Sequence, residues 1–380
     1  MTPFNFNTSA SIRFGAGLLA QLGEMVVNEI GTRVLLVTDP GMMPTGIVDK
    51  ALASLKGAGV EVTLYQDVKA DPPESIVNLC AQMAIECNAQ GVIGLGGGSS
   101  LDVAKLAALL ATGNESLQDA YGVNNAKGPR LPLILVPTTS GTGSEVTPIS
   151  IVTTGESEKM GVVSPVILPD IALLDPELTL GLPPHITAAT GIDAMVHAIE
   201  AYASASANNN PISRNLATEA LRLMGASLET AVHSGSDLKA RSDMLLGSKM
   251  AGQAFANSPV AAVHALAYPI GGHFHVPHGL SNALVLPYVL RFNAEVAPKA
   301  YAEIAPFAFP ELAKITNEQD RANAFCEAMA ALSKRCGLQQ TLREMDIPQD
   351  FLPKLASDAM NQTRLLVNNP RELTEEDALN

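Results

Sequence analysis

Along the first half of the chain, hydrophobic positions fall into short, β-branched runs separated by longer amphipathic stretches. Arg33-Val34-Leu35-Leu36-Val37-Thr38 is the first such run and stops at Asp39-Pro40. A helical stretch follows to Lys56, and Gly59 opens a second run, Val60-Glu61-Val62-Thr63-Leu64-Tyr65. Helical spacing predicts a helix over 74–89, a strand over 91–95, a further helix from Ser99 and a fourth strand at Leu133-Ile134-Leu135-Val136. Apolar strands alternating with helices imply a parallel sheet covered on both faces, since only burial on both sides removes the need for polar alternation. Residues 5–14 alternate in part and read as an edge strand, open to a partner subunit.

Beyond about residue 180 the texture changes. Pro183-Pro184 marks a break, after which Ala, Leu and Met recur at helical spacing. Segments 187–204, 212–231, 238–256 and 322–335 read as helices joined by polar turns such as Asn208-Asn209-Asn210-Pro211. The expected organisation is an α/β domain over 1–180 and an all-helical domain over 181–380. A chain of 380 residues is long for one core, which agrees with two domains.

Composition narrows the partners. A formal net charge of −14 disfavours a nucleic-acid or anionic-membrane surface, which needs clustered Lys and Arg. The four cysteines (Cys80, Cys87, Cys326, Cys336) contain no C-x-x-C pair and read as free thiols of a reducing compartment. The first residues lack the charged start and apolar run of a signal peptide, and no stretch of about 18 apolar residues is present to span a membrane. A cytoplasmic protein is expected.

Two polar turns carry candidate nucleotide chemistry. In Gly94-Leu95-Gly96-Gly97-Gly98-Ser99-Ser100-Leu101-Asp102 a strand hands over to a helix, whose free N–H groups favour a pyrophosphate. Ser99 with Asp102 three residues later is also a capping pattern, so a tight turn without ligand fits as well. Pro137-Thr138-Thr139-Ser140-Gly141-Thr142-Gly143-Ser144-Glu145 follows the fourth strand, where open α/β sheets bind ligands. Asp39 ends the first strand; it suits a ribose diol and NAD rather than NADP, or simply a turn before Pro40.

A third constellation suits a metal. Asp193 and His197 stand four apart in Thr190-Gly191-Ile192-Asp193-Ala194-Met195-Val196-His197-Ala198-Ile199-Glu200, which puts both on one helical face with Glu200 a turn further on. Their neighbours are apolar, so these groups are buried and need a partner. Four of the seven histidines lie within 264–278, a stretch interrupted by Pro269 and Gly271-Gly272 that reads as a helix end folded over a site. Imidazoles with one carboxylate suit Fe(II) or Zn(II) rather than Mg or Ca.

Taken together, Gly96-Gly97-Gly98-Ser99 with Asp102, Pro137 to Thr142, the run Leu182 to Glu200 and the stretch His264 to His278-Gly279 resemble the iron-containing (group III) alcohol dehydrogenases along essentially the whole chain. The resemblance implies a dinucleotide-binding α/β domain followed by an all-α metal-binding domain, a dehydroquinate synthase-like fold. It implies Asp193, His197, His264 and His278 as ligands of Fe(II), with Zn(II) as the alternative. It further implies NAD contacts from Asp39, Gly97, Gly98, Ser99, Thr138, Thr139 and Lys159, joined by Asp71, Ser150 and Leu178, with Asp102 at the nicotinamide end. Many members carry histidine where this chain has Tyr268, so a proton-relay role there passes to Tyr268 or to nearby His273 or His275, unless these only pack. The activity implied is reversible, NAD-linked oxidation of a primary alcohol to an aldehyde by a homodimer or larger assembly. A hydroxyacid–oxoacid transhydrogenase, a lyase on the same fold or a silent NAD sensor are the rival readings.

Overall fold

The computed structural model describes residues 3–155 and 158–380. The chain forms two compact units, one of Asn7–Thr139 with Gly143–Gly181, the other of residues 3–6, Ser140–Thr142 and Leu182–Asn380.

In the first unit, strands β1 (Ser11–Phe14), β2 (Arg33–Val37), β3 (Glu61–Tyr65), β4 (Gly91–Gly96), β6 (Leu133–Pro137) and β9 (Ile171–Leu174) form one sheet in the order β1-β9-β6-β4-β2-β3. Every pair in it is parallel. Strand alternation splits the core in two. Val34 and Leu36 join α1 (Leu22–Glu29) and α2 (Ile47–Gly57) on one face. Leu35 and Val37 join α3 (Glu74–Glu86) and α4 (Gly98–Leu110) on the other. After the short helix α5 (Leu117–Ala120), strands β5 (Gly122–Val123), β7 (Ile149–Thr154) and β8 (Glu158–Val163) make a small second sheet in the order β5-β8-β7. The four predicted strands are present. β7 and β8 were not predicted, because their hydroxyl, glycine and charged positions blur the run, and β9 was not, because four apolar residues read equally well as part of a buried helix. β1 does lie at the sheet edge, beside β9.

The second unit is helical. α6 (Pro184–Ala203) starts with a proline in its first turn, where the missing N–H costs nothing, and packs against α7 (Pro211–His233), α8 (Leu238–Asn257) and α10 (His278–Ala294). α9 (Ala262–Phe274) packs on α10, while α11 (Pro298–Ala308) and α12 (Glu318–Arg335) cover the far side of α7 and α10. α13 (Leu352–Met360) closes over α9. Helices α6, α7, α8 and α12 occupy the segments predicted as helical. Pro269 and Gly271-Gly272, read as interruptions, lie inside α9, and the chain reverses only at His275, whose φ is 54°. Packing of α9 against α10 and α13 holds the helix through the proline despite the lost hydrogen bond.

Candidate metal centre

Asp193 and His197 sit one turn apart on α6, and burial is nearly complete at both. His264 occupies the first turn of α9, and His278 is the first residue of α10. The Nε2 atoms of His197, His264 and His278 lie 4.0, 4.0 and 3.7 Å from Asp193 Oδ1. One ligand atom from each of the four residues falls within 4.8 Å of the other three. Tetrahedral ligands at ordinary metal–nitrogen distances are about 3.4 Å apart. The four atoms are therefore too far apart to bond one another and close enough to share an ion.

A fifth side chain reaches the same point. The Nδ2 of Asn282, one turn beyond His278 on α10, donates to Asp193 Oδ1 at 2.6 Å and lies 3.3 Å from Nε2 of both His264 and His278. The donor set fits Fe(II) or Zn(II).

Electrostatics reinforce this. Burial pushes the His197 imidazole down to about 3, so it stays neutral with its lone pair available. Burial acts to raise Asp193, but the three imidazoles and Asn282 outweigh it and hold the carboxyl below its ordinary value. Phe255 stacks on the His197 ring at 4.3 Å, and His197 stacks in turn on His264 at 4.9 Å. Tyr268, one turn after His264 on α9, sets its ring 5.8 Å from that of His278 and edge-on to His264 at 6.4 Å.

Geometry separates the four clustered histidines. His264 and His278 enter the group; His273 instead bonds Asp358 of α13 at 2.7 Å and packs its ring edge-on against Phe351. His275 is exposed in the left-handed turn that ends α9. Glu200 and Asn282 were not chosen from sequence as site residues, yet both touch the group. Extending the same helical spacing from Asp193 to Glu200 and from His278 to Asn282 finds them.

In the α/β unit, Asp39, Gly96 to Ser99 and Thr138-Thr139 follow the carboxyl ends of the adjacent strands β2, β4 and β6. Gly96 has φ 146°, and a Cβ there would come within 2.9 Å of Ser100 Oγ, so only glycine fits. Gly97 is the N-cap of α4 and Gly98 its first residue, with no side chain bonded to the helix start. The expected Ser99–Asp102 cap is therefore absent. Asp102 accepts from Ser144 Oγ at 2.5 Å and from the Ile151 N–H at 3.0 Å instead, with buried Lys105 3.6 Å away. Asp39 accepts from the Gly41 N–H and from Ser100 Oγ, each at 3.0 Å. Thr138 is buried and donates to Met42, and its neighbour Thr139 lies beside Gly97. Lys159 bridges Asp71 at 2.7 Å and Thr153 at 2.9 Å. Ser150 and Leu178 are buried, Ser150 bonded to the Asp102 carbonyl.

Comparison with known proteins shows the family. The family model for iron-containing alcohol dehydrogenase matches residues 9–176, and that for the Fe-containing alcohol dehydrogenase family, C-terminal, matches 187–380. Long-chain-alcohol dehydrogenase 1 of Geobacillus thermodenitrificans is 42% identical over 366 residues, 96% of this chain and 92% of that protein. The crystal structure of a 1,3-propanediol oxidoreductase superposes with a TM-score of 0.95 at 34% identity, covering 99% of this chain and 98% of the other. Sulfoacetaldehyde reductase from Bifidobacterium kashiwanohense, solved in complex with NAD+, superposes with a TM-score of 0.88 at 28% identity over 100% of this chain and 97% of its own. With both halves matched by the family and one relative similar along almost the full length, this chain belongs to the iron-containing alcohol dehydrogenases.

Proposed function

We propose that this chain, an NAD-linked alcohol dehydrogenase by family, reversibly oxidises a primary alcohol to an aldehyde at a divalent metal ion held by Asp193, His197, His264 and His278. The observation that carries the reading is the convergence of those four donors within 4.8 Å. When bound, the ion supplies a Lewis acid that makes an alcohol hydroxyl easier to deprotonate. Three neutral imidazoles and one carboxylate contribute a single negative charge, which leaves a divalent ion net positive in a buried setting. Tyr268, against two ligand rings, is assigned to the substrate side, where its hydroxyl orients the alcohol.

Bound NAD supplies the hydride acceptor. Asp39, Gly97, Gly98, Ser99, Thr138 and Thr139 hold it from the ends of three adjacent strands, with the first N–H groups of α4 on the pyrophosphate. Asp71, Ser150, Lys159, Leu178 and Asp102 complete the assignment, Ser150 and Leu178 from buried positions. Iron is the metal we favour, on family grounds. The reading extends to a cytoplasmic homo-oligomer, supported by four free cysteines and by β1 at a sheet edge; sedimentation of the purified protein tests the assembly. Among the described residues, no helix is long and apolar enough to cross a membrane.

The test is the near-ultraviolet absorbance of NADH during incubation with NAD and a panel of primary alcohols, for the wild type and for His264→Ala. NADH formation by the wild type, lost with the bound metal in the variant, is expected. An active, metal-retaining His264→Ala overturns the ligand assignment. NADH that appears only as a transient while a second oxoacid is reduced overturns the reaction.

A further inference from the structure

We propose that Glu200 is a positioning residue of the metal centre: its carboxylate fixes His264 as the Nδ1–H tautomer, turns Nε2 toward the other ligands, and strengthens that lone pair by its charge. The proposal rests on the assignment of His264 as a ligand.

Glu200 lies two turns beyond Asp193 on α6, and its side chain is about as buried as that of His197. Its Oε2 meets His264 Nδ1 at 2.6 Å, and its Oε1 accepts the Val263 N–H at 2.7 Å. The short distance is that of a charge-assisted bond. With Nδ1 protonated toward Glu200, His264 carries its lone pair on Nε2, the atom 4.0 Å from Asp193 Oδ1. A carboxylate behind a ligating imidazole sets ring orientation and raises ligand basicity. The same helix thereby carries two ligands and the group that aims a third.

A rival role is visible in the same contacts. The N-cap of α9, Ala261, offers no side-chain cap, so Glu200 also satisfies an N–H of the first turn. That role needs an acceptor oxygen and no charge. Burial of a carboxylate is costly, and a cap alone does not require one. A divalent ion among the four ligands balances both Asp193 and Glu200, which a neutral cap would not call for.

Glu200→Gln separates the two roles, because glutamine keeps an acceptor oxygen and loses the charge. The measurement is the dissociation constant for Zn(II), by chelator competition on purified protein, with thermal melting as the check on folding. Glu200→Gln is expected to weaken Zn(II) binding by about 10- to 100-fold. Glu200→Asp, which keeps the charge but withdraws it by one methylene, should fall between Gln and wild type. Wild-type affinity in either folded variant overturns the proposal. His264→Ala runs alongside: if it binds Zn(II) as well as wild type does, the ligand assignment fails, whereas its loss beside an unaffected Glu200→Gln sinks the positioning role alone.

Discussion

Gly279 leaves no space for a side chain against the Ala189 carbonyl: a Cβ there would come within 2.5 Å of the Ala189 oxygen and 3.3 Å of Asp193 Cβ. This close approach of α10 to α6 brings His278 onto the group. Gly279→Ala forces the helices apart at that point, and overpacking of this kind costs about 1–3 kcal/mol. We expect metal affinity to fall at least about tenfold, in line with the loss of one well-placed supporting group. Chelator competition and thermal melting read the two effects, and unchanged metal affinity would show that the close approach does not set the site.

His197 gives a pH dependence. Its folded imidazole titrates near 3 because of burial, below the ordinary value of 6.5. A lowered imidazole means that, as pH falls through about 6.5 toward 3, the unfolded chain takes up a proton the folded chain refuses. Metal-free protein should therefore lose stability across that window, by up to about 1.4 kcal/mol per pH unit from this residue. Urea unfolding of metal-free wild type and His197→Gln between pH 6.5 and 4 measures it. Equal slopes would contradict a neutral, buried His197.

Asp102 distinguishes framework from chemistry. It joins α4 to β7 and faces Lys105, whose side chain is fully buried and whose amine burial pushes below its ordinary range. Removing one partner of a buried pair leaves an uncompensated charge and costs about 3–5 kcal/mol. Because Asp102 is partly exposed, Asp102→Asn should fall at the lower end, about 3 kcal/mol, by urea unfolding. A stable variant with depressed turnover alone would place Asp102 in the chemistry instead.

Asp39 sets the nucleotide preference in this account. Asp39→Gly removes the carboxylate that repels a 2′-phosphate, so the ratio of kcat/KM for NAD over NADP should drop by at least about tenfold, the effect of about 1.4 kcal/mol. Steady-state kinetics with both nucleotides decide; an unchanged ratio would reduce Asp39 to its visible role as cap of the turn at Gly41.

The sheet and the helices were legible where one rule governed many residues. Val34 to Val37 and Leu133 to Val136 are continuous apolar runs because parallel strands are buried on both faces. β7 and β8 were not legible: Ser150 and Gly161 are placed by contacts with Asp102 and Ile151, which local pattern does not record. At the metal site, the Asp193–His197 pair followed from helix geometry. His264 and His278 needed the family pattern, because the opposite faces of His264 and His273 and the turn at His275 follow only from a helix that runs on through Pro269. Pro269 misled for the opposite reason, since packing of α9 against α10 and α13 overrides a local helix breaker.

The most direct test of the account is reversible metal removal. Protein stripped with a chelator should form no NADH from NAD and a primary alcohol, and should recover activity when Fe(II) is restored in stoichiometric amount without air. Full activity in protein shown by elemental analysis to hold no metal would contradict the role given to Asp193, His197, His264 and His278.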